Sequence, residues 1–353
     1  MTKLYSGYNC VLDHSLEIAS LGKKALIVTG RHSAKACGAL QDVTEALAKE
    51  GIEYTIFDKI EENPSVETVL SAAARGLDAG CDFVIGIGGG SPCDGAKAIA
   101  FAIKHGGSSL EELYDKNADG ASLPVVAVPT TCGTGSEITG VSVLTRHDKE
   151  TKQSIPHKIF PDLSLVDGKY LAAASDQMIK NTSVDALAHL IESYINTTAT
   201  EESRQYVSQG LKKWALCKEV LKDPGKASQK ERQLLMDVAT LAGRAIAITG
   251  TGIPHALSYP VTYRLGLAHG PACAMFLGRY VANASEVEQN FIFEKLGLGG
   301  IEELEKLLLE LCPTVDIPKD MKKEMAENLS NDAARLSKCP FLVDITILQN
   351  IIG

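Results

Sequence analysis

An α/β domain built on a parallel sheet, followed by an all-helical domain, is the fold class this sequence predicts, and three observations predict it. Short apolar runs alternate with helical patterns between Lys24 and Pro129. Strand-like runs vanish after about Tyr170, where helical spacing takes over. The length of 353 residues suits two domains, since domains usually hold roughly 100–200 residues. The boundary is expected near Asp167-Gly168-Lys169, giving domains 1–170 and 171–353.

The elements follow in order. Lys24-Ala25-Leu26-Ile27-Val28-Thr29 is a β-rich run ending at Gly30. Ala39, Leu40, Val43, Ala46 and Leu47 recur at spacings of three and four, so a helix is predicted there, stopping at Gly51. Ile52 to Phe57 alternates as a strand should. Asn63-Pro64 opens the next helix, where the missing proline N–H costs little. Val66, Val69, Leu70, Ala73 and Leu77 give that helix one apolar face, and Gly80 ends it. Asp82 to Ile87 is a strand, Pro92 to Ala100 a helix, and Leu123 to Pro129 a further strand. Such alternation makes the strands parallel and covers both sheet faces with helices. Ligands of these sheets bind at the carboxyl ends of strands, where Gly30, Gly88 and Thr130 fall. In the second half, helices are predicted over 183–195, 233–248 and 301–311. Leu221 to Lys226 is a loop between helices.

Composition excludes several classes. A formal net charge of -9 argues against a nucleic-acid partner, which would want a basic stripe. No apolar run approaches the roughly 18–20 residues that span a bilayer, so no membrane partner is expected. Residues 1–7 lack the apolar core of a signal peptide. Nine scattered cysteines, with no Cys-x-x-Cys pair, suit reduced thiols and a cytoplasmic location.

Two loops and one residue set carry candidate chemistry. Gly88-Gly89-Gly90-Ser91 closes a strand and leads into a helix. Glycines let backbone approach a ligand, and a helix start offers free N–H groups to phosphate, although glycine clusters also mark plain turns. Pro129 to Glu137 (PTTCGTGSE) follows the next strand and is rich in hydroxyls; its plain reading is a capped helix start. Two such loops on successive strand ends would lie side by side and share one ligand. Downstream, Asp185 and His189 stand four apart, one turn along a helix face. His255 and His269 lie among apolar residues, which suggests burial. Each alone reads as an ordinary surface pair or core histidine; together, one Asp and three His are a plausible divalent-metal set.

In this order the pieces resemble the iron-containing (group III, metal-dependent) alcohol dehydrogenases. The resemblance rests on Gly88-Gly89-Gly90-Ser91-Pro92-x-Asp94-x-Ala96-Lys97, Pro129-Thr130-Thr131-x-Gly133-Thr134-Gly135-Ser136-Glu137, Val184-Asp185-Ala186-Leu187-x-His189-x-x-Glu192 and His255-x13-His269-Gly270. It implies a Rossmann-like parallel-sheet domain, an all-α metal domain, and the fold shared with dehydroquinate synthase. It implies metal ligation by Asp185, His189, His255 and His269, with Fe2+ as the metal and Zn2+ as the alternative. It implies cofactor contacts from Asn63, Pro64, Gly88, Gly89, Gly90, Ser91, Asp94, Thr130, Thr131, Thr134, Ser136 and Lys152, the last in a β-ribbon. A homodimer, and a small alcohol or aldehyde as substrate, are implied as well.

Two departures from the family pattern matter. Many members carry a further His four residues after the third ligand; Tyr259 stands there and is the one side chain offered as a catalytic group beside the metal. Many NAD-using members carry Asp directly after the first strand, where this chain has Gly30, then Arg31, His32, Ser33 and Lys35. Losing a carboxylate removes repulsion against a 2′-phosphate, and Arg31, Ser33 and Lys35 offer it donors. NADP(H) is therefore expected over NAD(H). The expected reaction is hydride transfer between NADP(H) and a small alcohol or aldehyde. The alternatives are a dehydroquinate synthase-like or glycerol dehydrogenase-like enzyme of the same fold, or a non-catalytic nucleotide-binding sensor.

Overall fold

The computed structural model describes residues 2–107 and 109–353. Among the described residues the strands are β1 (Lys3–Ser6), β2 (Lys24–Thr29), β3 (Glu53–Phe57), β4 (Phe83–Gly88), β5 (Val125–Pro129), β6 (Val143–Arg146), β7 (Thr151–Ser154) and β8 (Leu163–Val166). Six of them form one sheet in the order β1-β8-β5-β4-β2-β3, with every pairing parallel. The remaining two, β6 and β7, make an antiparallel ribbon, with Thr145 opposite Lys152.

Strand periodicity divides the core of this sheet unit into two layers. Leu26 and Val28 point to one face, where they meet the helices Val66–Asp78 and Gly90–Lys104 through Val69, Ala73, Ile99 and Phe101. Ala25 and Ile27 point to the other face, against Val43, Ala46 and Leu47 of the helix Ala39–Lys49. Every residue of β4 is buried, as a central parallel strand requires. Each fully buried Val, Leu, Ile or Phe adds about 1.5–3 kcal/mol of transfer free energy. Helix starts are set locally: Ser65, not Pro64, caps Val66–Asp78 by accepting a bond from the Thr68 N–H at 3.2 Å. The Asn63-Pro64 pair precedes that cap, and Asn63 adopts φ 56°, a left-handed conformation that asparagine tolerates better than most residues.

The second unit is helical. Its central helix, Asp176–Tyr194, is buried on all sides from Ser183 to Tyr194, the pattern of a core helix with no solvent face. Trp214 of the helix Glu201–Leu216 is fully buried beside it and donates its indole N–H to the Ser183 carbonyl at 2.8 Å. The helix His269–Ala282 packs closely on that central helix: a Cβ on Gly270 would lie 1.9 Å from the Asn181 carbonyl oxygen, so only glycine fits.

The compact units run Met1–Ala174 with Ser228–Asp237, and Ser175–Ala227 with Val238–Gly353. The short segment Ser228–Asp237 falls outside the simple two-part division that the sequence suggests. Its Gln233 ties it to the sheet unit, accepting a bond from the Gly168 N–H at 2.8 Å and donating to Ser6 Oγ at 2.8 Å. Among the described residues, no single helix is long and apolar enough to cross a membrane.

Candidate functional site

The two loops of the sheet unit do lie side by side. Gly88 of β4 pairs with Pro129 of β5, and the Thr130 N–H donates to the Gly88 carbonyl at 2.9 Å. Gly88 needs its glycine, since it sits at φ 151° and a Cβ would come within 2.5 Å of Pro92. Across the gap, a Cβ on Gly90 would meet Thr134 Cγ2 at 2.7 Å, and one on Gly89 would meet Thr131 Oγ1 at 3.0 Å. The helix begins at Gly90, with no side chain capping its first N–H groups. The loop from Thr130 to Gly135 is not a helix start at all; it stays irregular, so its hydroxyls are not consumed as N-caps. A shape cut this close to the backbone, with a helix N-terminus behind it, suits a phosphate or pyrophosphate group.

Asn63, Ser91 and Lys152, named for the cofactor from different segments, meet in one network. The Asn63 N–H donates to Ser91 Oγ at 3.0 Å, and Lys152 Nζ donates to Asn63 Oδ1 at 2.9 Å. Thr145 of β6 fixes the same turn, its N–H donating to the Pro64 carbonyl at 2.8 Å. Asp94 and Ser136 spend their polar atoms internally. Ser136 Oγ donates to Asp94 Oδ1, and the Val143 N–H donates to Asp94 Oδ2 at 2.9 Å. Lys97, to which the sequence assigned no separate task, lies wholly buried between them. Its Nζ donates to Ser136 Oγ and to the Val141 carbonyl, both at 2.8 Å. A buried ammonium persists only with such partners, and this one ties the Gly-rich helix to the hydroxyl loop. Beside the end of β2, Arg31 is exposed, whereas Lys35 Nζ is held by Asp58 at 2.9 Å.

In the helical unit, three helices converge on a carboxylate. Asp176–Tyr194 brings Asp185, His189 and Glu192; Ile253–Leu265 brings His255 and Tyr259; His269–Ala282 brings His269 and Cys273. Asp185 Oδ1 stands 3.4 Å from His255 Nε2 and 3.7 Å from His269 Nε2. Asp185 and His255 are each 2% exposed, yet neither Asp185 Oδ1 nor His255 Nε2 has a hydrogen-bond partner. Buried polar atoms left this way are costly unless a cation satisfies them.

The ligand atoms of Asp185, His255, His269 and Cys273 all lie within 4.8 Å of one another, a spacing a single divalent ion can bridge. The structure thus brings three of the four sequence candidates into one centre. His189 stands beside it, its ring stacked on His255 with centroids 4.3 Å apart.

The surroundings fix orientation and charge. Glu192, fully buried, lies 2.5 Å from His255 Nδ1 and accepts a bond from the Gly252 N–H at 2.5 Å. A carboxylate at Nδ1 selects the tautomer that leaves the Nε2 lone pair facing Asp185. Ser258 Oγ lies 3.2 Å from His269 Nδ1 and performs the matching task there. Burial would raise the Asp185 carboxyl, but the imidazoles of His189, His269 and His255 hold it below the usual carboxylate range. Desolvation would lower His255, yet Cys273, Glu192 and Asp185 push it well above its ordinary value.

His269 leaves a quarter of its side chain exposed, which makes its side the open one. Tyr259 lies there, half-buried, its ring 5.9 Å from that of His269. Sequence reasoning gave no role to Cys273, Ser258 or Lys97, and quoted Glu192 only as part of a motif. The available signal was helical spacing: Cys273 follows His269 by four residues, and Glu192 follows His189 by three.

Comparison with known proteins agrees with this geometry. Residues 1–168 match the family model described as iron-containing alcohol dehydrogenase, and residues 179–340 match that of the Fe-containing alcohol dehydrogenase family, C-terminal. Long-chain-alcohol dehydrogenase 1 of Geobacillus thermodenitrificans (strain NG80-2) is 29% identical over 90% of this chain and 85% of its own. The NADPH-dependent butanol dehydrogenase of Clostridium saccharobutylicum is 28% identical over 86% of this chain and 80% of its own. The crystal structure of an iron-containing alcohol dehydrogenase from Thermotoga maritima superposes with a TM-score of 0.91 at 34% identity, covering 99% of this chain and 96% of that one. Two domain matches, a shared fold and a buried carboxylate–imidazole centre place this chain in the iron-containing alcohol dehydrogenase family.

Proposed function

We propose that the protein is an NADP(H)-dependent alcohol dehydrogenase that works as an aldehyde reductase on a small alcohol or aldehyde. The observation that carries this reading is the pair of buried atoms Asp185 Oδ1 and His255 Nε2, neither satisfied by a hydrogen bond, facing each other 3.4 Å apart with His269 alongside. Asp185, His189, His255 and His269 are the residues proposed to hold a divalent metal, Fe2+ first and Zn2+ as the alternative. That metal supplies Lewis acidity toward an alcohol or carbonyl oxygen.

The chain's own residues do the rest. Glu192 locks the His255 ring, Ser258 steadies His269, and Tyr259 lines the open side where a substrate would arrive. Gly88, Gly89, Gly90 and Ser91 would cradle the cofactor pyrophosphate, with Thr130, Thr131 and Thr134 facing it and Asn63 and Lys152 flanking Ser91. A nicotinamide bound there would supply or accept a hydride at the substrate carbon, with the hydroxyl proton of the alcohol lost to solvent. Asp94 and Ser136 serve as supports to these loops, given their mutual bond.

NADP(H) is favoured because Gly30 presents no carboxylate to a 2′-phosphate, while Arg31 and Ser33 lie next to it in sequence. Lys35 contributes less, since Asp58 engages its ammonium. The butanol dehydrogenase of Clostridium saccharobutylicum, described as NADPH-dependent, supports the same preference. Nine free cysteines fit a reducing compartment such as the cytoplasm.

The test is consumption of NADPH with a panel of short aldehydes, using metal-free protein, protein reconstituted with Fe2+ or Zn2+, and His255→Ala. The reading expects turnover only with metal, and loss of both metal and turnover in the variant while NADPH still binds. Full activity in metal-stripped protein overturns it.

A further inference from the structure

Arg335 of the helical unit is a mostly buried cation with no carboxylate in close contact. It lies on the short helix Ala333–Leu336, and its side chain is 23% exposed. Among the described residues, one carboxylate comes within 4 Å, that of half-exposed Asp332, whose Oδ2 stands 4.0 Å from Arg335 Nε, the outer limit of an ion pair. Asp332 Oδ1 already caps the same helix, accepting the Arg335 backbone N–H at 2.9 Å. One nitrogen steadies the guanidinium instead: Nη1 lies 3.1 Å from Thr251 Oγ1 and 3.3 Å from the carbonyl oxygens of both Thr251 and Gly252. Nε and Nη2 donate to none of the described residues. Burying a charge with so few acceptors is costly unless an anion joins it.

The surroundings of this cation give it a task. Thr251 and Gly252 lead into the helix Ile253–Leu265, and the Gly252 N–H donates to Glu192, which orients His255. Tyr259 follows Gly252 by seven residues, two turns along the same face. Burial raises the Tyr259 phenol, and the charges of His255 and Arg335 oppose that rise. The guanidinium therefore acts on the open side of the site, where Tyr259 lies beside His269.

We propose that Arg335 selects the substrate, its Nε and Nη2 donors holding a carboxylate at the far end of a short aldehyde whose carbonyl end faces Asp185, His255 and His269. The inference rests on the dehydrogenase reading above and names its substrate class: an aldehyde acid, or in the reverse direction a hydroxy acid with a primary alcohol. Guanidinium and carboxylate match as a planar pair joined by two parallel bonds, which fixes the long axis of the substrate as well as its charge. The overall reaction is the one proposed above. Aldehyde, NADPH and a proton give primary alcohol and NADP+, and the carboxylate neither gains nor loses a covalent bond.

Paired substrates test this. Metal-loaded protein is given succinic semialdehyde or butanal, and glutaric semialdehyde or pentanal, each pair matched in carbon number, and NADPH consumption is followed. Wild type is expected to favour the acid of at least one pair by about tenfold or more in kcat/KM, the span of one charge-assisted pair, and added KCl should shrink that ratio. In Arg335→Met the acid-to-neutral ratio is expected to fall by about tenfold or more, through a raised KM for the acid. Arg335→Lys, which keeps the charge and loses the planar fork, should retain part of the ratio. Wild type without such a preference in either pair overturns the proposal and leaves the dehydrogenase reading standing. So does an Arg335→Met protein that loses acid and neutral turnover in equal proportion, since Arg335 would then only support the Thr251–Gly252 turn. If Arg335→Met does not fold, the wild-type ratio and its response to salt decide. Metal-loaded wild type that reduces no aldehyde of either pair overturns both readings.

Discussion

Glu192→Gln separates orientation of a ligand from ligation itself. The carboxylate is wholly buried and serves two donors, with its two oxygens each 2.5 Å from His255 Nδ1 and the Gly252 nitrogen. An amide of the same shape has one acceptor oxygen, so its NH2 must face a donor at one of those two positions. A hydrogen bond to a charged group contributes about 1.5–3 kcal/mol net. Loss of an outer partner of a metal-bound histidine costs about 10–100-fold in metal affinity, equivalent to about 1.4–2.7 kcal/mol. The two ranges agree because both describe the loss of one such bond. Metal affinity, measured by competition with a chromophoric chelator, is expected to fall within that span, with NADPH affinity unchanged. A metal Kd equal to that of wild type would refute the reasoning, since it would mean that Glu192 does not set the ring that faces the ion.

The other predictions concern the sheet unit. Gly90→Ala places a Cβ 2.7 Å from Thr134 Cγ2, and overpacking of this kind costs about 1–3 kcal/mol; NADPH Kd is expected to rise about tenfold at constant metal content, and an unchanged Kd would detach these loops from the cofactor. Arg31→Ala is expected to lower the kcat/KM preference for NADPH over NADH by about tenfold or more, as loss of a charge-assisted bond implies; a wild-type preference for NADH would contradict the assignment outright. Lys97→Met strands Asp94 and Ser136 beside a buried apolar chain, and breaking such a pair costs about 3–5 kcal/mol. The expected fall in Tm is roughly 10 °C, and an unchanged melting curve would show that Lys97 does not hold the two loops together.

The interior of the sheet was legible because β2, β4 and β5 are buried strands, and burial on both faces writes itself as an apolar run. β1 and β8 were not, since four residues are too few to show a period and β1 is only partly covered. Position 64 illustrates a local misjudgement: proline suggested the helix start, but the Ser65 hydroxyl had the geometry to cap it. The metal centre was legible in part, because Asp185 and His189 are one turn apart while His255 and His269 arrive from other helices. Cys273 went unnoticed because a single thiol in an apolar stretch reads as packing, and only the fold reveals which atoms it faces. Glu192 reaches His255 across 63 positions of sequence, a distance no spacing rule covers. The Ser228–Asp237 excursion has the same origin, being fixed by Gln233 bonds to residues far away in the chain.

The account depends on a divalent ion at Asp185, His255 and His269. Diffraction recorded on either side of the iron absorption edge, from crystals grown anaerobically with Fe2+, tests it directly. The account predicts a single anomalous peak within bonding distance of Asp185, His255 and His269. Iron-soaked crystals that turn over aldehyde yet show no peak among these residues would contradict it.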